Sequence, residues 1–102
     1  MTSLKDRIEN DLATAMKARE ETKVSTLRML KSAIQNAQVA GDEAIVLNDD
    51  QTIAVLCAEA KKRAESAQIY SDAGRDEAAT KERSEKAIIE AYLTAPMSDD
   101  DG

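Results

Sequence analysis

Four stretches of the chain repeat apolar residues at intervals of three and four, with almost nothing between them that stops a helix. That spacing puts one apolar stripe on each of four helices, and a helix striped in this way must bury it against its neighbours. Leu4, Ile8, Leu12 and Met16 make the first stripe, behind a Ser3-x-x-Asp6 start that resembles a capping box, and predict a helix over about residues 3–18. The stripe lapses through Lys17–Glu21, which reads as a tight turn, and restarts in new phase at Val24, Leu27, Leu30, Ile34 and Ala37. The second helix is predicted over about 22–40, with Gly41 at its end as a residue tolerant of positive φ.

Asn48 followed by Asp49, Asp50 and Gln51 reads as a cap with acids against the positive end of a helix dipole. The third helix, about 49–73, carries a narrow stripe of mostly small residues: Ile53, Leu56, Cys57, Ala60, Ala64, Ala67 and Tyr70, with Gly74 as its stop. The fourth, about 76–92, is polar at first and apolar at Ala87, Ile88, Ile89, Ala91 and Tyr92. With 3 Gly, 1 Pro and 2 aromatic residues, both tyrosine, turn-rich β architectures lack their material. The expectation is an all-α, four-helix bundle-like domain over residues 1–95, and 102 residues suffice for a single core. Ser98 before Asp99–Asp101 resembles the capped start of a further helix, so residues 96–102 read as an acidic tail or the beginning of a truncated C-terminal subdomain.

The same residues exclude several classes of function. The chain has no histidine and one cysteine, so the common zinc sites, histidine acid–base chemistry and an internal disulfide are absent, and no metal or cofactor is expected. No run of 18 apolar residues occurs and MTSLKDRIEN has no apolar signal core, so neither a membrane span nor secretion is supported and the expected compartment is the cytoplasm. Net charge is -6, but residues 1–40 carry seven bases against five acids while residues 41–102 carry seven against fifteen. A local basic face therefore survives an acidic average.

Two basic groups, Arg28-x-x-Lys31 and Lys61-Lys62-Arg63, together with Arg75 on the Gly74 turn, are the candidate phosphate contacts. Neither group is interleaved with aromatic residues for base stacking, and on spacing alone a solvated helix face explains them better than phosphate contacts do. Glu82 and Glu85 share a helix face with Ile89 and Tyr92. Paired carboxylates there fit ion pairs to Arg28, Lys61 or Arg63 better than they fit a metal or acid–base site. Cys57 is expected as a small buried hydrophobe.

Taken in order, Ser25-Thr26-Leu27-Arg28-Met29-Leu30, Lys61-x-Arg63-x-Glu65-Ser66, Tyr70-x-x-Ala73-Gly74-Arg75, Glu82-x-x-Glu85 and Ala91-Tyr92-Leu93 resemble the YqeY-like proteins, small bacterial relatives of the tail domain of the GatB subunit of tRNA-dependent amidotransferases. The resemblance covers nearly the whole chain. It implies an N-terminal helical bundle followed by a smaller helical subdomain, of which this chain would hold the first part only. It also implies a link to tRNA and to a carbon–nitrogen ligase using glutamine as amide donor, with the chemistry in other domains. No nucleophile–base constellation or nucleotide loop is present, so catalysis by this chain alone is not expected.

The chain departs from the family pattern at Ala58 and Ala64, where bases are common, at Glu77–Ala78 in place of Asp–Leu, and at Thr94 in place of proline. Two readings follow. In the first, Arg28, Lys31, Lys61, Lys62, Arg63 and Arg75 contact tRNA. In the second, the chain is a protein-interaction or scaffold module, partnered by amidotransferase subunits or another protein, whose bases pair internally with Glu65, Glu82 and Glu85.

Overall fold

The computed structural model describes residues 3–94, and the expected acidic tail at 96–102 lies outside them. Among the described residues the architecture is all-α: four helices, α1 (Leu4–Ala18), α2 (Glu21–Gln38), α3 (Asp49–Asp72) and α4 (Asp76–Thr94), form a bundle. They pair chiefly as two hairpins, α1 with α2 and α3 with α4, and the four stripes meet in one core.

The helix ends follow local chemistry. Ser3 accepts a hydrogen bond from the Asp6 N–H at 3.1 Å, and Asp49, from the first turn of α3, accepts one from the Leu4 N–H at 3.0 Å. One carboxylate thus caps α1 from a neighbouring helix start, where acids are favoured by both dipoles. Asn48 and Gln51 form a reciprocal capping box, with N–H to side-chain oxygen distances of 2.8 and 2.9 Å. At the other end of α3, Gly74 takes φ 76° while the Arg75 N–H reaches Tyr70 O at 2.8 Å and the Gly74 N–H reaches Ser71 O at 3.0 Å, a Schellman stop.

Leu4, Ile8 and Leu12 from α1, Leu27, Leu30 and Ile34 from α2, Leu56 and Ala60 from α3, and Ile89 and Tyr92 from α4 make the core. Buried Thr26 and Thr52 satisfy their hydroxyls on the backbone oxygens of Thr22 and Asn48, each at 2.8 Å. The structure differs from the sequence reading at three places. Met16 is half exposed and Ala15 takes its place in the interface, because residues four apart drift by about 40° per step on a 3.6-residue helix and the stripe has rotated past Met16. Cys57 is exposed, since the buried line of α3 runs through Thr52, Leu56, Glu59 and Ala60 and Cys57 lies about 100° round the helix from Leu56. Gly41 does not stop α2, which ends at Gln38 with Val39 as its cap. The left-handed turn residue at the first hairpin is Arg19, at φ 60°.

Candidate functional site

The interface of α3 with α4 is built from small residues. Ala60, Ala67 and Ala79 are buried in it, and their short side chains allow the helix backbones to approach closely. The long polar side chains nearby are then caught between helices. Arg63 is the centre of this group. Its Nη1 donates to Glu59 Oε1 at 2.8 Å and to the Glu59 backbone oxygen at 3.2 Å, a four-residue Glu-to-Arg spacing that suits a helix. Its Nη2 lies 2.7 Å from Sδ of Met29 on α2, and its Nε stands 3.6 Å from Glu85 Oε1 on α4. That last approach is within ion-pair reach but leaves the buried Nε without a hydrogen bond. One guanidinium therefore touches three helices, with both it and its two carboxylates largely removed from water.

Burial raises the pKa of Glu85 above the ordinary 4.5, and Glu82 on the next turn raises it further, while Arg63 and Lys81 pull it down. An arginine held by two carboxylates in this way fixes helix register and leaves little free valence for a ligand. Five surface depressions among the described residues are lined by other side chains than Glu59, Arg63 and Glu85. Among the described residues, no group of three or more His, Cys, Asp or Glu gathers as a metal site.

Of the other five candidate bases, only Lys62 touches this group. Arg28, Lys31, Lys61, Lys62 and Arg75 are exposed. Lys62 pairs with Glu59 at 3.2 Å, and Arg75 lies over the ring of Tyr70, 5.3 Å from its centroid. Arg28, Lys31 and Lys61 form no ion pair with another described residue. Arg28 lines a shallow depression at the first hairpin turn with Met16 and Arg19, Lys31 lines the groove between α1 and α2, and Arg75 lines the turn into α4. The structure thus places these three at separate depressions. Glu65 is exposed and Glu82 half-buried, and neither forms an ion pair with a described residue.

Sequence reasoning passed over Glu59 and Met29, although the four-residue spacing of Glu59 and Arg63 was a readable signal. It also passed over the contact between α1 and α4. There the Tyr92 hydroxyl donates to Asp11 Oδ2, and Arg7 lies over the Tyr92 ring at 5.5 Å. Burial and the Asp11 carboxylate raise the Tyr92 pKa, while Arg7 opposes the shift. The partners are 81 residues apart, and no local pattern announces them.

Comparison with known proteins adds two findings. The family model described as Yqey-like protein matches residues 5–101. The chain is also 30% identical over 86 residues, 84% of its own length, to "Altered inheritance of mitochondria protein 41, mitochondrial" from Meyerozyma guilliermondii. It spans 44% of that curated relative. No helix among the described residues is long and apolar enough to cross a membrane.

Proposed function

The chain belongs to the YqeY-like family, and from that membership we propose that it is an accessory, tRNA-associated module of cytoplasmic, bacterial type. In this reading it is related to the tRNA-dependent amidotransferases and performs no amide transfer alone. The observation that carries the reading is the solvent face of α2. Residues 22–41 hold Lys23, Arg28 and Lys31 and not one of the 20 acids of the chain. Arg28 and Lys31 are one helical turn apart, exposed, and unpaired among the described residues. Two exposed cations one turn apart on an acid-free stretch, in a chain of net charge -6, offer a local attraction for a polyanion approached from that side. Lys61, Lys62 and Arg75 extend the contact set, and Arg63 serves helix register. Residues 1–95 act as the helical unit that displays these cations.

The test is a fluorescence titration with total tRNA at low and moderate salt, comparing the intact chain with an Arg28→Ala, Lys31→Ala double variant whose fold is verified by circular dichroism. Binding is expected to weaken with salt at a slope of about -0.9 per phosphate neutralised, and the double variant is expected to lose about two such contacts. Absence of binding at low salt overturns the reading. The internal pairing of Arg63 would then favour a protein-interaction module, whose partner is an amidotransferase subunit or another protein.

A further inference from the structure

The groove between α1 and α2 encloses about 230 Å³. Its floor is Ile8 and Ile34, 1% and 2% exposed, and its rim carries Lys5 and Glu9 from α1 and Lys31 and Gln38 from α2. Lys5 Nζ donates to Gln38 Oε1 at 3.2 Å, and the Leu47 N–H donates to the same oxygen at 3.3 Å. With two donors on one oxygen, the orientation of the amide is chemically forced. The Nε2 protons of Gln38 are therefore the part of that side chain with no partner among the described residues, and the Lys31 ammonium is in the same condition. Lys5 keeps two of its three protons. The uncommitted groups of these three side chains are N–H donors, two of them on ammonium ions, above an apolar floor that strengthens their field relative to open water.

We propose that this groove is a phosphate subsite for RNA, in which Lys5 and Lys31 hold one backbone phosphate and the Gln38 amide donates to one of its oxygens. The inference rests on the RNA reading of α2 and extends it to α1, which carried no candidate contact. A phosphate rather than a carboxylate matches the rim. The rim offers donors from two helices to a tetrahedral group of acceptors, and they are point-charge ammoniums and an amide rather than the planar guanidinium fork that pairs with a carboxylate. Glu9 stands against the ligand as the one carboxylate of the rim, and its repulsion keeps the subsite weak and reversible.

The experiment titrates the intact, isotope-labelled chain with inorganic phosphate, following side-chain amide signals by NMR, and titrates it with total tRNA in parallel. The variants are Lys5→Gln and Glu9→Gln, both on the α1 rim of the groove, with folding verified by circular dichroism. Phosphate is expected to shift the Gln38 amide signals. Lys5→Gln should weaken tRNA binding severalfold and make the salt slope shallower by less than one full phosphate contact, because Lys31 still holds the shared phosphate, whereas Glu9→Gln should tighten binding severalfold. If tRNA affinity falls in the Arg28→Ala, Lys31→Ala variant but is unmoved by Lys5→Gln and Glu9→Gln, the subsite is overturned and the RNA reading stands. If the intact chain binds no tRNA, the RNA reading fails and this proposal with it, whatever inorganic phosphate does to Gln38.

Discussion

The two hairpins of the molecule solve the same packing problem with different materials. Between α1 and α2 the contact is made by large aliphatic side chains, Leu4, Ile8, Leu12, Leu27, Leu30 and Ile34, all buried. They form the buried side of both helices, so Arg28 and Lys31 of α2 face water. On α3 and α4 the buried alanines Ala60, Ala67 and Ala79 stand beside the larger Leu56 and Ile89, and Glu59, Arg63 and Glu85 are enclosed. The difference teaches that the fate of an arginine is set by the size of the apolar residues beside it. Arg28 and Arg63 both sit on amphipathic helices, and one faces water while the other is used as internal structure.

The sharpest way to break the comparison is Arg63→Ala. It strands two buried carboxylates and should cost roughly 3–5 kcal/mol at neutral pH, a large share of the stability of a domain this size, measured by urea unfolding. The aliphatic hairpin answers with Leu30→Ala, expected to cost roughly 2–5 kcal/mol through lost burial and a cavity. The two should differ in pH response, because protonating Glu85 relieves the first variant and does nothing for the second. Tyr92→Phe, which removes the hydroxyl bond from α4 to Asp11 on α1, is expected to cost about 1.5–3 kcal/mol, as for a hydrogen bond to a charged acceptor.

Glu85→Gln sharpens the contrast at smaller amplitude. The folded-state pKa of Glu85 is raised above 4.5, so the folded protein holds this proton more tightly than the unfolded chain. Its contribution is fully present below pH 4.5 and is lost as pH rises through the higher folded value. The variant should therefore show a flatter stability profile from pH 4.5 upward, and thermal melts against pH read the difference. Smallest of all, Arg28→Ala with Lys31→Ala should leave stability within about 0.5 kcal/mol, as exposed substitutions do, and on the proposed reading it weakens tRNA binding.

Much of the fold was legible because its signals are local. Ser3, Asn48 and Gly74 stand at helix ends where one residue supplies the missing acceptor or the positive φ. Legibility failed where a stripe had to be followed over several turns. The rotation that turns Met16 out and Ala15 in accumulates slowly, and the face of Cys57 depended on which edge of the small-residue stripe met α4. Of the candidate site, the residue types and their spacing were readable, including Glu85 beside Ile89 and Tyr92. Arg63 was one of three bases named as partners for these carboxylates, and the structure selects it for Glu85, while the pairing of Glu59 was passed over.

By itself the sequence determined the helical segments, their caps and an apolar stripe on each, since helix hydrogen bonds close within four residues and capping acts over three. The tertiary structure decided that Arg63 and Glu85 face each other, that Asp49 caps α1, and that Asp11 meets Tyr92 across 81 positions. Burial and pairing depend on surfaces contributed by distant segments, and those surfaces exist only once the helices have packed.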